Sequence, residues 1–219
     1  MKQSVNHSAD FFEGSTYHVY GRTNNKEVLF KSDENRQFFL RQYSKYLQPF
    51  VDTFCWSLLP NYFHFLIRVK KRKEIVDFLA EKEKLLKCEQ HYLDENCCAD
   101  ELIEFEWRRF LTSYSMAFNR QYKRTGNLFN RPFRRVLIDT DAYFTQAVIY
   151  IHANAARHKL CKDFRDHNWT SWHSVISDKP TQLCRSELVE LFGGLERLKH
   201  QHLKNAEYYY DTTFAIEED

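Results

Sequence analysis

Residues 51–69, VDTFCWSLLPNYFHFLIRV, constrain the fold of this chain more than any other stretch. Two runs rich in aromatic and β-branched residues, 51–59 and 62–69, flank Pro60-Asn61. That dipeptide is turn chemistry, and runs of this length and composition read as strands, so the segment predicts a hairpin. Side chains alternate across a strand, which puts Tyr62 and His64 on one face and Phe63, Phe65 and Ile67 on the other. Whether the phenol and the imidazole are packing or chemistry depends on what the rest of the chain brings to that face.

The other elements follow from local patterning. STYHVYGR, 15–22, reads as a strand. Ser32 or Asp33 can cap a helix in which Phe38, Phe39, Tyr43, Tyr46 and Leu47 recur at helical spacing up to Pro49. Residues 73–87 and 100–123 are expected to be helical, joined by a polar connector, CEQHYLDENCCA. A loop over 124–133 leads to a fourth strand, RRVLI, at 134–138. A helix follows over 139–159, then a polar, Trp-bearing loop, then a short helix at 185–192 that Gly193-Gly194 closes. A last helix starts at 195 and runs into an acidic tail. This order predicts an α+β fold, an antiparallel sheet with helices packed on one face, close to a split βαββαβ arrangement. The main domain is expected over 1–195, with 196–219 as a C-terminal helix and tail.

Composition narrows the class. With 219 residues and 43% hydrophobic content, the chain supports one well-cored domain. Five Gly and four Pro leave little room for long loops. A formal net charge of +2 makes no case for nucleic acid by itself, although a local basic patch can sit on a neutral whole. The six cysteines show no CxxC spacing, which argues against a zinc ribbon and for reduced thiols. The first fourteen residues hold no apolar run of the signal-peptide kind, and no run approaches the roughly 20 residues that span a bilayer. A cytoplasmic location with no membrane partner is the expectation.

Two further features bear on function. Tyr150 and Asn154 are four apart on the 139–159 helix and so share a face. A tyrosine hydroxyl beside an amide oxygen suits a nucleophile next to a metal ligand, yet an aromatic on an amphipathic helix is more often core. The stretch RQYKRTGNLFNRPFRR, 120–135, carries Arg120, Lys123, Arg124, Arg131, Arg134 and Arg135 without one acidic residue. Tyr122, Phe129 and Phe133 are interleaved. Cations that follow phosphates and rings that stack on bases suit single-stranded nucleic acid; the plainer reading is a solvated charged face. Lys70 and Lys71, in RVKKRK, form a second basic cluster.

In combination, YHVYGRTNN, LLPNYFHFLI, FNRQYKRTGNLFNRPFRRVLI and YIHANAARHKL resemble, in content and order, the single-tyrosine HUH transposases. The resemblance is closest to the REP-associated tyrosine transposases and covers roughly residues 11 to 195. It implies a ferredoxin-like sheet with a His-hydrophobic-His motif on a central strand. It also implies Mg²⁺ or Mn²⁺ as cofactor and single-stranded or hairpin DNA as partner, bound by a monomer or homodimer. In that family a helix tyrosine attacks a scissile phosphate, forms a 5′-phosphotyrosine, and strand transfer reverses the step, so no ATP is needed. By this resemblance Tyr150 is the nucleophile, His64 the second histidine of the motif, and Asn154 the third metal-binding position.

The sequence departs from the family at two places. Tyr62 stands where the first histidine of the motif is expected, and is carried here as a candidate ligand. A phenol titrates near 10 and must lose its proton to bind a metal well. Three readings stay open: a reorganised active site, an inactive protein that binds DNA, or a tyrosine that stacks on a base. Ala155 replaces the family's proline, which allows the helix to run on. His18 is read as structural or DNA-contacting and His152 as packing or surface; His158, His167 and His173 receive no role, and Trp169 and Trp172 pack the C-terminal region. A module that stacks RNA bases on the sheet is a competing class, though it leaves Tyr150 and Asn154 unexplained.

Overall fold

The computed structural model describes residues 6–130 and 133–211. Four strands form one sheet: β1 (Thr16–Arg22), β2 (Val51–Leu59), β3 (Tyr62–Val69) and β4 (Arg134–Ile138). All neighbours pair antiparallel, in the order β2-β3-β1-β4. This is the order the split βαββαβ pattern requires. The hairpin at Pro60-Asn61 forms as its sequence predicts, with Leu59 opposite Tyr62.

The helices are α1 (Asp33–Leu47), α2 (Arg72–Ala80), α3 (Lys87–Leu93), α4 (Ala99–Gln121), α5 (Asp141–Arg157), α6 (Trp172–Val175), α7 (Arg185–Leu191) and α8 (Leu195–Asp211). Ser32 caps α1 by accepting the Asn35 N–H, and Thr140 caps α5 by accepting that of Tyr143. The expected single helix over 73–87 is broken. The chain leaves α2 after Ala80, and α3 begins at Lys87 and runs into the stretch read as a connector. No Gly or Pro marks the break. Its cause is Glu89, fully buried, whose carboxylate accepts the Leu86 N–H at 2.8 Å and the Lys82 ammonium. That cap starts a new helix, and α3 then places the Tyr92 ring in the core.

β3 divides the molecule. Phe63, Phe65, Ile67 and Val69 enter a core shared with Phe39 and Tyr43 of α1 and Trp107, Phe110 and Tyr114 of α4. The Tyr43 and Phe65 rings stack at 4.0 Å and 11°. Burying each of these large side chains contributes about 1.5–3 kcal/mol. α1 and α4 thus cover one sheet face, as the pattern predicts. The opposite face is covered by α5, whose Ala147, Val148 and Ile151 pack with Leu66 of β3 and Phe54 and Cys55 of β2. An irregularity in β2 between Thr53 and Cys55 turns Phe54 toward this second core, where it meets Phe144 edge-on at 4.9 Å.

The expected domain boundary at 195/196 falls at the start of α8, which packs on the back of α5. Leu198 is buried there beside Phe192 and Trp172. A buried polar relay crosses the same interface. His202 Nδ1 donates to the Leu198 carbonyl at 2.8 Å, so its Nε2 accepts from His152 Nδ1 at 2.9 Å. His152 Nε2 in turn accepts the Ser171 hydroxyl at 2.9 Å, and Ser171 Oγ accepts the Trp56 N–H at 2.9 Å. Every member is satisfied while both imidazoles are neutral, and a proton on either ring breaks one link.

Burial, with the nearby His202 and His173 imidazoles, holds His152 far below the ordinary histidine range. Burial holds His202 down to about 4. An unfolded histidine titrates near 6.5, so on acidification the unfolded chain takes up the proton first. The relay's stabilisation is therefore full above about pH 6.5 and is lost as the pH falls toward 4. Glu106, raised to about 7 by burial, acts in the opposite sense over an overlapping range. The expected outcome is thus a difference. In chemical denaturation, the stability advantage of the wild type over His202→Gln shrinks between pH 7.5 and pH 5, roughly the window these shifts define.

Candidate functional site

The site lies between the sheet and α5. On β1, His18, Tyr20 and Arg22 share the face that Tyr62 and His64 present from β3; Arg22 pairs opposite Tyr62, and Tyr20 opposite His64. From α5 come Tyr150 and Asn154, one turn apart, and Arg157 at the last turn. The helix continues past Ala155 to Arg157, with His158 as its C-cap, as the missing proline allows.

The centre of the site is dry. His18, His64, Tyr150 and Asn154 are all 0% exposed. His18 Nε2 and His64 Nδ1 are 3.0 Å apart with the rings 18° from parallel, so one imidazole donates and the other accepts. The other nitrogen of His64, Nε2, lies 3.4 Å from the Asn154 side-chain amide. The Tyr150 ring stands edge-on to both imidazoles, at 6.0 Å from His18 and 6.2 Å from His64. Its hydroxyl accepts from the Arg157 guanidinium at 3.2 Å, and that guanidinium also lies over the ring at 5.5 Å.

Tyr62 sits at the half-buried rim. Its hydroxyl accepts from Arg22 Nη1 at 3.4 Å. Its ring runs parallel to that of His64, at 6.1 Å and 1°, and lies 5.9 Å from the exposed His158. The structure therefore brings together Tyr62, His64, Tyr150 and Asn154, as expected. Arg22, Arg157 and His158 belong to the same cluster and were not singled out from the sequence. For Arg157 a signal exists, since it lies seven residues after Tyr150 on the same helical face.

His64, Asn154 and Tyr62 offer a Mg²⁺ or Mn²⁺ ion one imidazole, one amide and one phenol. Such ions favour oxygen donors in octahedral array. Among the described residues no group of three His, Cys, Asp or Glu is placed to hold a metal. Both nitrogens of His64 already face polar partners, and the phenol of Tyr62 faces a guanidinium that repels a second cation. A Mg²⁺ or Mn²⁺ ion on His64, Asn154 and Tyr62 stays an expectation of the sequence.

The basic stretch divides between structural and surface roles. Arg135 is buried, pairs with Asp100 at 2.7 Å and Glu104 at 3.5 Å, and stacks over Phe11 at 4.5 Å. It anchors the N-terminal segment to α4. Arg124 pairs with Glu27 at 2.7 Å and donates to the carbonyls of Gly126 and Asn127, which shapes the loop. Lys70 donates to the Gln48 carbonyl at 2.9 Å. Arg120, Lys123 and Lys71 are exposed, while Arg134 is half-buried on the sheet face of the site. Arg131 lies outside the described residues. Among these residues no helix is long and apolar enough to cross a membrane.

Two outcomes follow. Arg135→Ala leaves Asp100 without its buried partner and lowers stability by roughly 3 kcal/mol in denaturant titration. Mn²⁺ leaves the thermal midpoint of the wild-type protein unchanged, whereas Tyr62→His, which adds an imidazole at the rim, gains stability on addition of Mn²⁺.

Compared with known proteins, the sequence matches no family model and no curated relative. Among solved structures the chain is similar to a REP-associated tyrosine transposase bound to a REP hairpin. The TM-score is 0.54 at 13% identity, over 82% of this chain and 89% of that one. The fold is the mixed α/β fold of that transposase, an open four-stranded antiparallel sheet with helices packed against it.

Proposed function

We propose that this protein is a transposase-derived binder of hairpin or single-stranded DNA whose metal-assisted cleavage chemistry is disabled. The observation that carries this reading is the state of Tyr62. A phenol replaces an imidazole in the motif, and a guanidinium faces that phenol. DNA as the partner is supported by the fold shared with a hairpin-bound transposase and by the exposed Arg120 and Lys123. Phosphate contacts of this kind give affinity that falls steeply with salt.

A second reading keeps the family's chemistry, cleaving and rejoining DNA through a 5′-phosphotyrosine on Tyr150. It is favoured by one observation: Tyr150 and Asn154 still project from one helix face onto His64. Chemically a tyrosine is a weak nucleophile that needs activation or a polarised electrophile. The first reading is preferred because, among the described residues, no three His, Cys, Asp or Glu side chains are placed to hold a metal.

Labelled hairpin DNA with a single-stranded flank separates the two. The wild-type protein is expected to retard the DNA in a native gel yet form no SDS-resistant adduct in Mn²⁺. Tyr62→His is expected to form one, and Tyr62→His with Tyr150→Phe to lose it. A wild-type adduct that Tyr150→Phe abolishes establishes catalysis instead. Equal or tighter binding of the matched RNA hairpin points to an RNA-binding module.

A further inference from the structure

The connector CEQHYLDENCCA holds three of the six cysteines, and the fold brings two of them together although their spacing is no redox motif. Cys88 lies in the first turn of α3, and Cys97 precedes Cys98, the residue at the cap of α4. Between them α3 ends in a Schellman turn. The Asn96 N–H donates to the His91 carbonyl at 2.8 Å and the Glu95 N–H to that of Tyr92 at 3.2 Å. Glu95 takes the left-handed position, at φ 60°, where glycine is the usual residue. The Arg72 guanidinium holds the turn, donating to the Tyr92 carbonyl at 3.0 Å and to the Glu95 carboxylate at 3.4 Å.

This turn folds the chain back onto α3. Cys97 Sγ donates to the Cys88 carbonyl at 3.6 Å, and Cys88 Sγ to the Glu101 carbonyl at 3.9 Å. The two thiols are within hydrogen-bond reach of each other. Both are half-buried, and Cys98 beside them is exposed.

We propose that Cys88 and Cys97 form a reversible redox-modification site, oxidised to an intramolecular disulfide by a small-molecule disulfide such as oxidised glutathione, and that the bond clips α3 to the start of α4. The site is independent of the DNA-binding reading.

The chemistry is thiol–disulfide exchange. The Cys97 thiolate attacks one sulfur of oxidised glutathione, which breaks that S–S bond, forms a mixed disulfide on Cys97 and releases one glutathione thiolate. The Cys88 thiolate then attacks the Cys97 sulfur, forms the Cys88–Cys97 bond and releases the second. Two electrons pass from the pair to the small disulfide, and the two thiol protons end on the two glutathione thiols. Cys97 attacks first for two reasons. Burial raises both thiols, Cys88 to about 12, with Glu101 acting in the same sense, but the S–H of Cys88 lowers Cys97 by donating to it. Cys97 also stands at the positive end of the 23-residue α4, which favours a thiolate.

Cys98 is a poorer partner for Cys97. Adjacent Cα atoms are about 3.8 Å apart, short of the roughly 4.4–6.8 Å that a disulfide spans. In the unfolded chain Cys88 and Cys97 meet only by closing a loop, and the native turn has already closed it.

The test equilibrates the full chain with excess oxidised glutathione, then alkylates it, cleaves after glutamate and reads the peptides by mass spectrometry. Cleavage after Glu89 and Glu95 separates Cys88 from Cys97 and Cys98. A Cys88–Cys97 bond therefore appears as two linked peptides that dithiothreitol releases. Cys98→Ser is expected to keep the link and Cys97→Ser to lose it. The equilibrium constant against glutathione is expected to be roughly tenfold or more higher for the folded protein than for the same chain unfolded in urea. Oxidation is expected to raise the thermal midpoint by about 5 °C, a shift absent from Cys88→Ser.

Free thiols at Cys88 and Cys97 after equilibration overturn the proposal, as do stable mixed disulfides with glutathione or a bond from Cys97 to Cys98. Equal equilibrium constants for the folded and unfolded chain overturn it too, because the fold then does not position the pair. An unchanged thermal midpoint in the oxidised protein removes the clip.

Discussion

The alternation of side chains along β3 is the constraint on which the rest of the structure depends. β3 is flanked by β2 on one side and β1 on the other, so it cannot slip. Shifting its register by one residue would drive Tyr62 and His64 into the aromatic core and expel Phe63, Phe65 and Ile67. Because that core is closed by α1 and α4, the polar pair is committed to the opposite face, and α5 is the element that meets it there. The functional corner is therefore a consequence of packing on the far side of the sheet.

A second constraint acts within that corner. His64 has two ring nitrogens, one within 3.0 Å of His18 and the other 3.4 Å from Asn154. In a dry pocket such contacts are costly to break, because each leaves a buried polar group unsatisfied. His64 is thus tied on both of its ring nitrogens. The neighbouring Tyr62 directs its hydroxyl to Arg22.

Much of this was legible in the sequence, for physical reasons that differ by element. The hairpin, β1 and β4 were readable because period-two patterning and turn residues are local signals. The shared face of Tyr150 and Asn154 follows from helical periodicity alone. The break between α2 and α3 was not readable, since Glu89 becomes a cap only when burial leaves its carboxylate nowhere better to go. Nor was the fate of Arg135: in the sequence it belongs to an acid-free cationic run, and its partner Asp100 lies 35 residues earlier. Alternation places Arg134 and Arg135 on opposite faces, which could have warned that the run would divide. The His152–His202 relay links residues 50 apart and has no local signature. The departure at Tyr62 was visible at once, but Arg22 as its partner emerges only from the β1–β3 register.

The most direct measurement is a crystal structure of the protein with a hairpin DNA carrying a single-stranded flank, grown in Mn²⁺, with data collected at a wavelength where manganese scatters anomalously. The account predicts the hairpin DNA bound to the protein, and no anomalous peak at His64. An anomalous peak ligated by His64 and Asn154, with the phosphate drawn to it, would contradict the account.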